Sequence, residues 1–187
     1  MLDHPLGPST VDDWLAADAP ADGSRLELIL GYFHVTPPPT GSHQRASFRL
    51  ARALEDAVEA VGRDDLHVVP GVGIRISTPW RTGLIPDVAV LDVNPHHVSF
   101  AAGNLVLAVE VWSPGNSQSE RDTKMAAYAG AGVPYLWIVD LPAGKPPQFC
   151  GYRLSGGGYR QDVFAGASDE VIAPGPVPVT VDTARLS

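Results

Sequence analysis

The stretch Leu105-Val106-Leu107-Ala108-Val109-Glu110-Val111-Trp112 decides how the rest of the chain is read. Successive side chains of a strand point to opposite faces, and here both alternating sets are apolar, so the segment reads as a central strand covered on both sides. Glu110 is the one charged residue within it. A carboxylate taken out of water on such a strand needs a compensating partner, a cation above all. The same eight residues therefore mark a core and a polar site inside it.

Downstream, Ser113-Pro114-Gly115-Asn116 makes a turn. Either Ser117 with Glu120 or Ser119 with Asp122 forms a capping box for a helix running to about Ala129, which Gly130, Gly132 and Pro134 stop. Tyr135 to Asp140 is a second apolar strand. Two further strands, Gln148 to Leu154 and Tyr159 to Phe164, flank Ser155-Gly156-Gly157-Gly158. The tail with Pro174, Pro176 and Pro178 reads as irregular with one edge strand.

Upstream, strands are predicted at Leu66 to Val69, Gly73 to Ile76 and Asp87 to Leu91, with a loop from Thr78 to Pro86. From Ser42 to Ala60 the residues Phe48, Leu50, Ala51, Leu54, Ala57, Val58 and Val61 follow helical spacing up to Gly62, the longest helix expected. Arg25 to Leu30 and Tyr32 to Thr36 form a hairpin about Gly31, closed by Pro37-Pro38-Pro39. A short helix begins after Thr10, with Asp12 and Asp13 in its first turn and Trp14 and Leu15 offered to a core. This order implies a mixed α/β, or α+β, fold around one sheet with few helices to cover it. Its length fits one domain over residues 1–187, with 1–9 a loose N-terminus and 173–187 an irregular tail.

Hydrophobic residues at 44% and charged residues at 18% suit a soluble globular protein. The apolar runs are far shorter than the roughly 20 residues of a membrane-crossing helix, and Met1-Leu2-Asp3-His4-Pro5 lacks a signal-peptide pattern, so a cytoplasmic location without membrane contact is expected. Cys150 stands alone and supports neither a disulfide nor a zinc site. Thirteen basic against 21 acidic residues give a net charge of −8, which argues against broad attraction to nucleic acid.

The constellation that carries chemistry is Pro86-Asp87, Val109-Glu110-Val111 and Asp122-Thr123-Lys124. If the strands bearing Asp87 and Glu110 are neighbours, the two carboxylates face each other and repel unless something cationic intervenes. Mg²⁺ or Mn²⁺ answers that need, because hard divalent ions choose oxygen ligands and keep waters for substrate and nucleophile. Phosphodiester hydrolysis asks for a polarised phosphoryl oxygen, an activated water and a cation near the developing charge, and Lys124 has either of two roles, orienting that water or stabilising the phosphorane.

Arg25-Leu26-Glu27-Leu28-Ile29-Leu30-Gly31, Pro37-Pro38-Pro39 with His43, Ile85-Pro86-Asp87-Val88-Ala89-Val90, Val109-Glu110-Val111-Trp112-Ser113-Pro114, Asp122-Thr123-Lys124 with Tyr128, and Gly132 to Asp140 together resemble the Uma-type restriction endonuclease family, in its order, from about Thr10 to Val181. The resemblance implies the PD-(D/E)xK nuclease fold: a restriction-endonuclease-like central mixed sheet flanked by helices. It also implies a DNA endonuclease dependent on Mg²⁺ or Mn²⁺. Asp87 and Glu110 become the metal ligands and catalytic acids, and Glu27 a further carboxylate. The lysine expected two residues after Glu110 is replaced by Trp112, so its role passes to Lys124. Symmetric pairs are common in this fold, which makes a homodimer through the β-rich C-terminal region an expectation.

Plainer readings stand beside these. Asp87 is then a strand-edge residue, Glu110 half of a structural ion pair, Lys124 a solvated helix residue, and Glu27 a partner of Arg25 or Arg52. His43 reads more readily as a capping or surface residue than as a catalytic base, with approach to a substrate phosphate left open, and His96-His97 as surface. Trp112, Trp137 and Tyr135 read as core packing, while Arg75, Arg81, Arg121 and Lys124 offer a modest basic rim. The missing lysine and the acidic charge motivate an alternative, a nuclease-like module that binds nucleic acid or protein without cutting. A metal-dependent hydrolase of another substrate is a third reading.

Overall fold

The computed structural model describes residues 6–186. Residues 1–5 of the expected loose N-terminus lie outside the described residues, whereas Gly7 N donates to Leu30 O at 2.7 Å and Ser9 N to Gly31 O at 3.1 Å. The first helix, α1 (Val11–Ala16), starts at Thr10, whose hydroxyl accepts from Asp13 N while the Asp13 carboxylate accepts from Thr10 N. Two donors at the helix start are thereby satisfied. Strands β1 (Arg25–Ile29) and β2 (Tyr32–Thr36) follow, then α2 (Gly41–Ala60), β3 (His67–Pro70), β4 (Gly73–Ser77), β5 (Thr82–Leu84), β6 (Val88–Leu91), β7 (Ser99–Ala101) and β8 (Leu105–Trp112). Next come α3 (Gln118–Gly130), β9 (Tyr135–Asp140), β10 (Gln148–Ser155), β11 (Gly158–Ala165), β12 (Glu170–Ala173) and β13 (Val179–Asp182).

The strands form three sheets instead of the single one expected: β2-β1-β5-β4-β7, β11-β10-β9-β8-β6-β3, and the pair β12-β13. β5 and β7 are three residues each, too short for an alternating pattern to register in sequence. β5 also holds Gly83, against whose backbone the Trp14 ring lies so closely that a Cβ would collide with it. The Trp14 indole N–H donates to Leu26 O at 2.7 Å, which pins α1 to β1. In the tail, β12 and β13 pair antiparallel and bury Val179 and Val181, so this segment is more regular than its prolines suggested.

β8 lies inside the six-stranded sheet, antiparallel to β6 and parallel to β9, to which α3 connects it. The sheet is thus mixed, as expected. On one face Val109, Val111, Val88 and Val90 meet Leu50, Leu54 and Val58 of α2 together with β12 and β13. On the other, Ala108, Trp112, Ala89 and Leu91 meet Tyr128 of α3 and Ile74, Leu84 and Phe100 of the five-stranded sheet. Alternation puts Glu110 in the set of Ala108 and Trp112, and Asp87 in the set of Ala89 and Leu91, hence both on the second face. Three residues expected in the core are exposed instead, Phe48 at 67%, Val61 at 55% and Leu15 at 42%. No described helix is long and apolar enough to cross a membrane.

Candidate active site

Asp87 sits where the chain enters β6, with its own backbone held on both sides: its N–H donates to Val109 O at 2.9 Å, and its carbonyl accepts from Gly71 N at 3.2 Å. Val88 pairs with Val109, so one step outward along the antiparallel register Asp87 comes beside Glu110. The Val111 N–H donates to Asp87 Oδ2 at 2.6 Å, and Arg25 Nη1 of β1 bonds Oδ1 of the same carboxylate. His43 Nε2, from the first turn of α2, lies 3.3 Å from Oδ2. Burial works against ionisation of Asp87, but the His43 hydrogen bond and the Arg25 charge outweigh it and hold the carboxyl below its ordinary value.

Glu110 has the opposite surroundings. Lys124 of α3 reaches it with Nζ at 3.3 Å from Oε2, and the Tyr128 hydroxyl, one turn further along the same helix, donates to Oε1 at 2.7 Å. Lys124 Nζ is also 2.9 Å from Glu27 Oε2, and Glu27 Oε1 accepts from Ile85 N at 2.8 Å. Burial raises the Glu110 pKa to about 7; Lys124 opposes this, while the charges of Glu27 and Asp87 add to it. The lysine resists its own burial, and Glu110 and Glu27 hold its pKa above the ordinary value. Burial, reinforced by Glu110, pushes the Tyr128 hydroxyl well above its ordinary value.

Three carboxylates thus meet two fixed cations and a histidine in a cavity of about 390 Å³, which the Pro37-Pro38-Pro39 loop, Thr40 and Asn116 also line. All four residues expected at the site, Glu27, Asp87, Glu110 and Lys124, converge there, and all four are buried. Arg25 and Glu27 reach it because odd positions of β1 face this side, while Leu26 and Leu28 pack toward Val11 and Trp14.

Other assignments change. His43 is 8% exposed, not a surface residue, and its Nδ1 is buried with no hydrogen-bond partner among the described residues. The signal was present in the sequence: His43 precedes Ala46, Leu50, Leu54 and Val58 by three, seven, eleven and fifteen residues, in phase with the buried stripe of α2. Glu27 pairs with Lys124 and not with Arg25 or Arg52; Arg25 binds Asp87, and Arg52 binds Asp56. Lys124 is a buried partner of two carboxylates and not a solvated residue.

The expected basic rim does not form. Arg121 binds Asp140 at 3.1 Å with its guanidinium 4.8 Å from the centre of the Trp112 ring, and Arg81 donates to Gly7 O at 2.6 Å. Arg75 is exposed on β4. Trp112, at the position of the parent motif's lysine, packs into the core, so the site's lysine arrives from α3. A larger cavity of about 950 Å³ separates α2 from β12 and β13, but it gathers none of the residues expected at the site. Among the described residues no three His, Cys, Asp or Glu side chains are grouped so as to enclose a metal ion.

A central mixed sheet flanked by helices, with acidic residues and a lysine gathered at strand ends, is a nuclease-like arrangement. The same fold occurs in the crystal structure of a putative nuclease belonging to DUF820 from Anabaena variabilis, with a TM-score of 0.71, 16% sequence identity, and 96% of this chain and 97% of that one covered. Residues 11–184 match the model of the Uma2 family, described as "Putative restriction endonuclease", and the chain belongs to that family. The curated proteins searched gave no match.

Proposed function

We propose that the protein is a divalent-metal-dependent endonuclease that hydrolyses phosphodiester bonds in DNA, with Asp87 and Glu110 as ligands of Mg²⁺ or Mn²⁺. The observation that carries this reading is the convergence of Glu27, Asp87 and Glu110 on Lys124 from separate elements. Three carboxylates against Arg25 and Lys124 leave one negative charge in excess, felt at Glu110, whose pKa burial lifts to about 7. A doubly charged ion suits this all-oxygen donor set. Mg²⁺ takes only one or two protein carboxylates and completes its shell with water and phosphate, so a three-residue cage is not required. The chemistry such an ion supplies when bound is polarisation of a phosphoryl oxygen and activation of a water.

The chain's own groups do the rest. Lys124 keeps its proton and serves as a fixed cation for the charge that develops on the phosphoryl group, not as a base. Tyr128 orients Glu110 through Oε1, and Arg25 with the Val111 N–H keeps Asp87 ionised and aimed. Glu27 holds Lys124 from β1, as Glu110 does from β8, and shares its charge. Titration calorimetry with Mn²⁺ tests the ligand set without the right substrate: wild type should bind, and Glu110→Ala should lose at least tenfold in affinity, the scale seen when a metal site is degraded. Equal binding by both proteins removes Glu110 from the site. Cleavage of plasmid DNA in Mn²⁺, blocked by EDTA and lost in Asp87→Ala, is the matching activity result.

A second reading, a nuclease-like module that binds without cutting, is favoured by one observation: each buried carboxylate already has a cationic partner in Arg25 or Lys124. DNA binding with no turnover under any divalent ion would select it.

A further inference from the structure

From Leu28 to Leu54 the chain contains no Asp or Glu, although 21 acidic residues are spread over the other parts of its 187 positions. This acid-free window comprises most of the β1–β2 hairpin, the proline loop and the first two-thirds of α2, and it borders the candidate site through Val35 to Thr40 and His43. Within it Arg45, Arg49 and Arg52 recur at intervals of four and three, which places them along one flank of α2. Phe48 lies three residues after Arg45 and four before Arg52, and it is 67% exposed.

Two features of this flank work against the stability of the isolated chain. A large aromatic left in water forgoes the stabilisation of about 1.5–3 kcal/mol that burial of a Phe side chain brings. The first turn of α2 carries no acidic residue, whereas α1 has Asp12 and Asp13 and α3 has Glu120 there. The positive end of the helix macrodipole has no acidic residue of its own helix beside it and is extended by Arg45, which forms no ion pair among the described residues. Arg52 meets only Asp56, at 3.6 Å and largely in solvent, a pair of small worth that a stronger anion displaces. Beyond Arg52 the helix turns acidic with Glu55, Asp56 and Glu59, which bounds the patch on the side away from the site.

We infer that this flank of α2 is the docking surface for the DNA strand that enters the site, with Arg45, Arg49 and Arg52 on successive phosphates and Phe48 against the sugars or bases between them. The inference rests on the nuclease reading for the identity of the partner. Seven residues of helix from Arg45 to Arg52 span about 10 Å, about three steps at 3.4 Å rise, so three long arginine side chains reach phosphates within about four nucleotides of one strand. Interleaved cations and an exposed aromatic are the usual means of tracking a strand without reading its sequence. For a chain of net charge −8 the arrangement offers a polyanion one side of α2 on which cations are gathered; the first turn of that helix borders the site, and its Arg49 and Arg52 share a neighbouring cavity with Asp56, Glu170 and Asp182.

The test measures binding of a fluorescein-labelled 20-base-pair duplex by anisotropy over a salt series, beside Mn²⁺-dependent hydrolysis of bis(p-nitrophenyl) phosphate. The variants are R45A/R49A/R52A, its charge-preserving counterpart R45K/R49K/R52K, and Phe48→Ala. The alanine triple should bind the duplex on the order of 100-fold more weakly, with the slope of log K against log salt reduced by about three. The lysine triple should keep most of the affinity, which excludes loss of fold as the cause, and Phe48→Ala should lose affinity with the salt slope unchanged. Turnover of the small diester should be the same in the alanine triple and wild type. Duplex binding by the alanine triple equal to wild type, or no duplex binding by wild type, overturns the docking surface. Stripe-dependent binding with no diester or DNA hydrolysis leaves the surface standing and removes the cleavage reading.

Discussion

Two clusters of acids and cations in this protein are bound at nearly the same distances and have opposite physical meaning. On the hairpin of β10 and β11, Arg153 Nε and Arg160 Nη2 bind Asp162 at 2.9 and 3.1 Å, with the arginine side chains 48% and 70% exposed. Between β1, β8 and α3, Lys124 binds Glu27 and Glu110 at 2.9 and 3.3 Å with all three buried. Water and salt screen the first, so each charge remains tolerable without its partner. The second has lost its hydration, so each charge depends on the others being present. Comparable distances therefore do not mean comparable energies. What also distinguishes the buried cluster is the sign of its excess: two carboxylates on Lys124 leave one negative charge out of water, whereas two arginines on Asp162 leave one positive charge in it.

The largest effect that separates the clusters is removal of the shared lysine. Lys124→Met should destabilise the protein by about 3–5 kcal/mol in urea denaturation, because Glu27 and Glu110 are then buried against each other without compensation. A loss below about 1 kcal/mol would put the buried cluster in the same energetic class as the surface one.

Next comes a pH effect confined to the buried cluster. Glu110 has an ordinary pKa of 4.5 and a folded value of about 7, raised first by burial. Between these values the unfolded chain has released this proton and the folded chain still holds it, so the folded state binds more protons and stability falls as pH rises. Glu110→Gln removes that dependence. The stability of the variant relative to wild type should increase from pH 4.5 to pH 7 by up to about 3 kcal/mol, then level off. A difference that is flat across this window would mean that Glu110 titrates as it does in water.

The smallest effect is expected on the surface. Arg153 holds Asp162 below its ordinary pKa, first through the side-chain hydrogen bond. Asp162→Asn should shift Tm by no more than about 2 °C at neutral pH, and by less in 0.5 M salt. A larger, salt-insensitive shift would show that the hairpin network is structural and would erase the contrast.

The elements bearing the site were legible because their signals are local. The β8 run with one carboxylate in an apolar strand, the Ser117 cap and the Gly31 turn each depend on a few neighbouring residues, and each matches the observed structure. Ser117 takes the cap over Ser119 by accepting from Glu120 N. What could not be read depends on partners distant in sequence. β5 and β7 exist as strands because β4 lies between them, and neither has a pattern of its own. Phe48 obeys the helical spacing loosely enough to pass for core, yet α2 rests on the sheet along Ala46, Leu50, Leu54 and Val58. Arg25 was visible only as a charge at a strand start, and its role at Asp87 exists through a contact 62 residues away.

Taken by itself, the sequence determined which charged residues would need compensation inside the fold, since a carboxylate on a doubly covered strand and a proline-led aspartate are anomalies that burial makes costly whatever the partners are. Only the tertiary structure decided how those charges divide. β1 delivers Arg25 to Asp87 and Glu27 to Lys124, and α3 brings Lys124 and Tyr128 to Glu110, so that one carboxyl is held acidic while its neighbour is pushed toward neutrality. The physical reason is that a pKa is set by distances of a few ångströms and by the loss of water, and both come into being only when elements far apart in the chain close over one another.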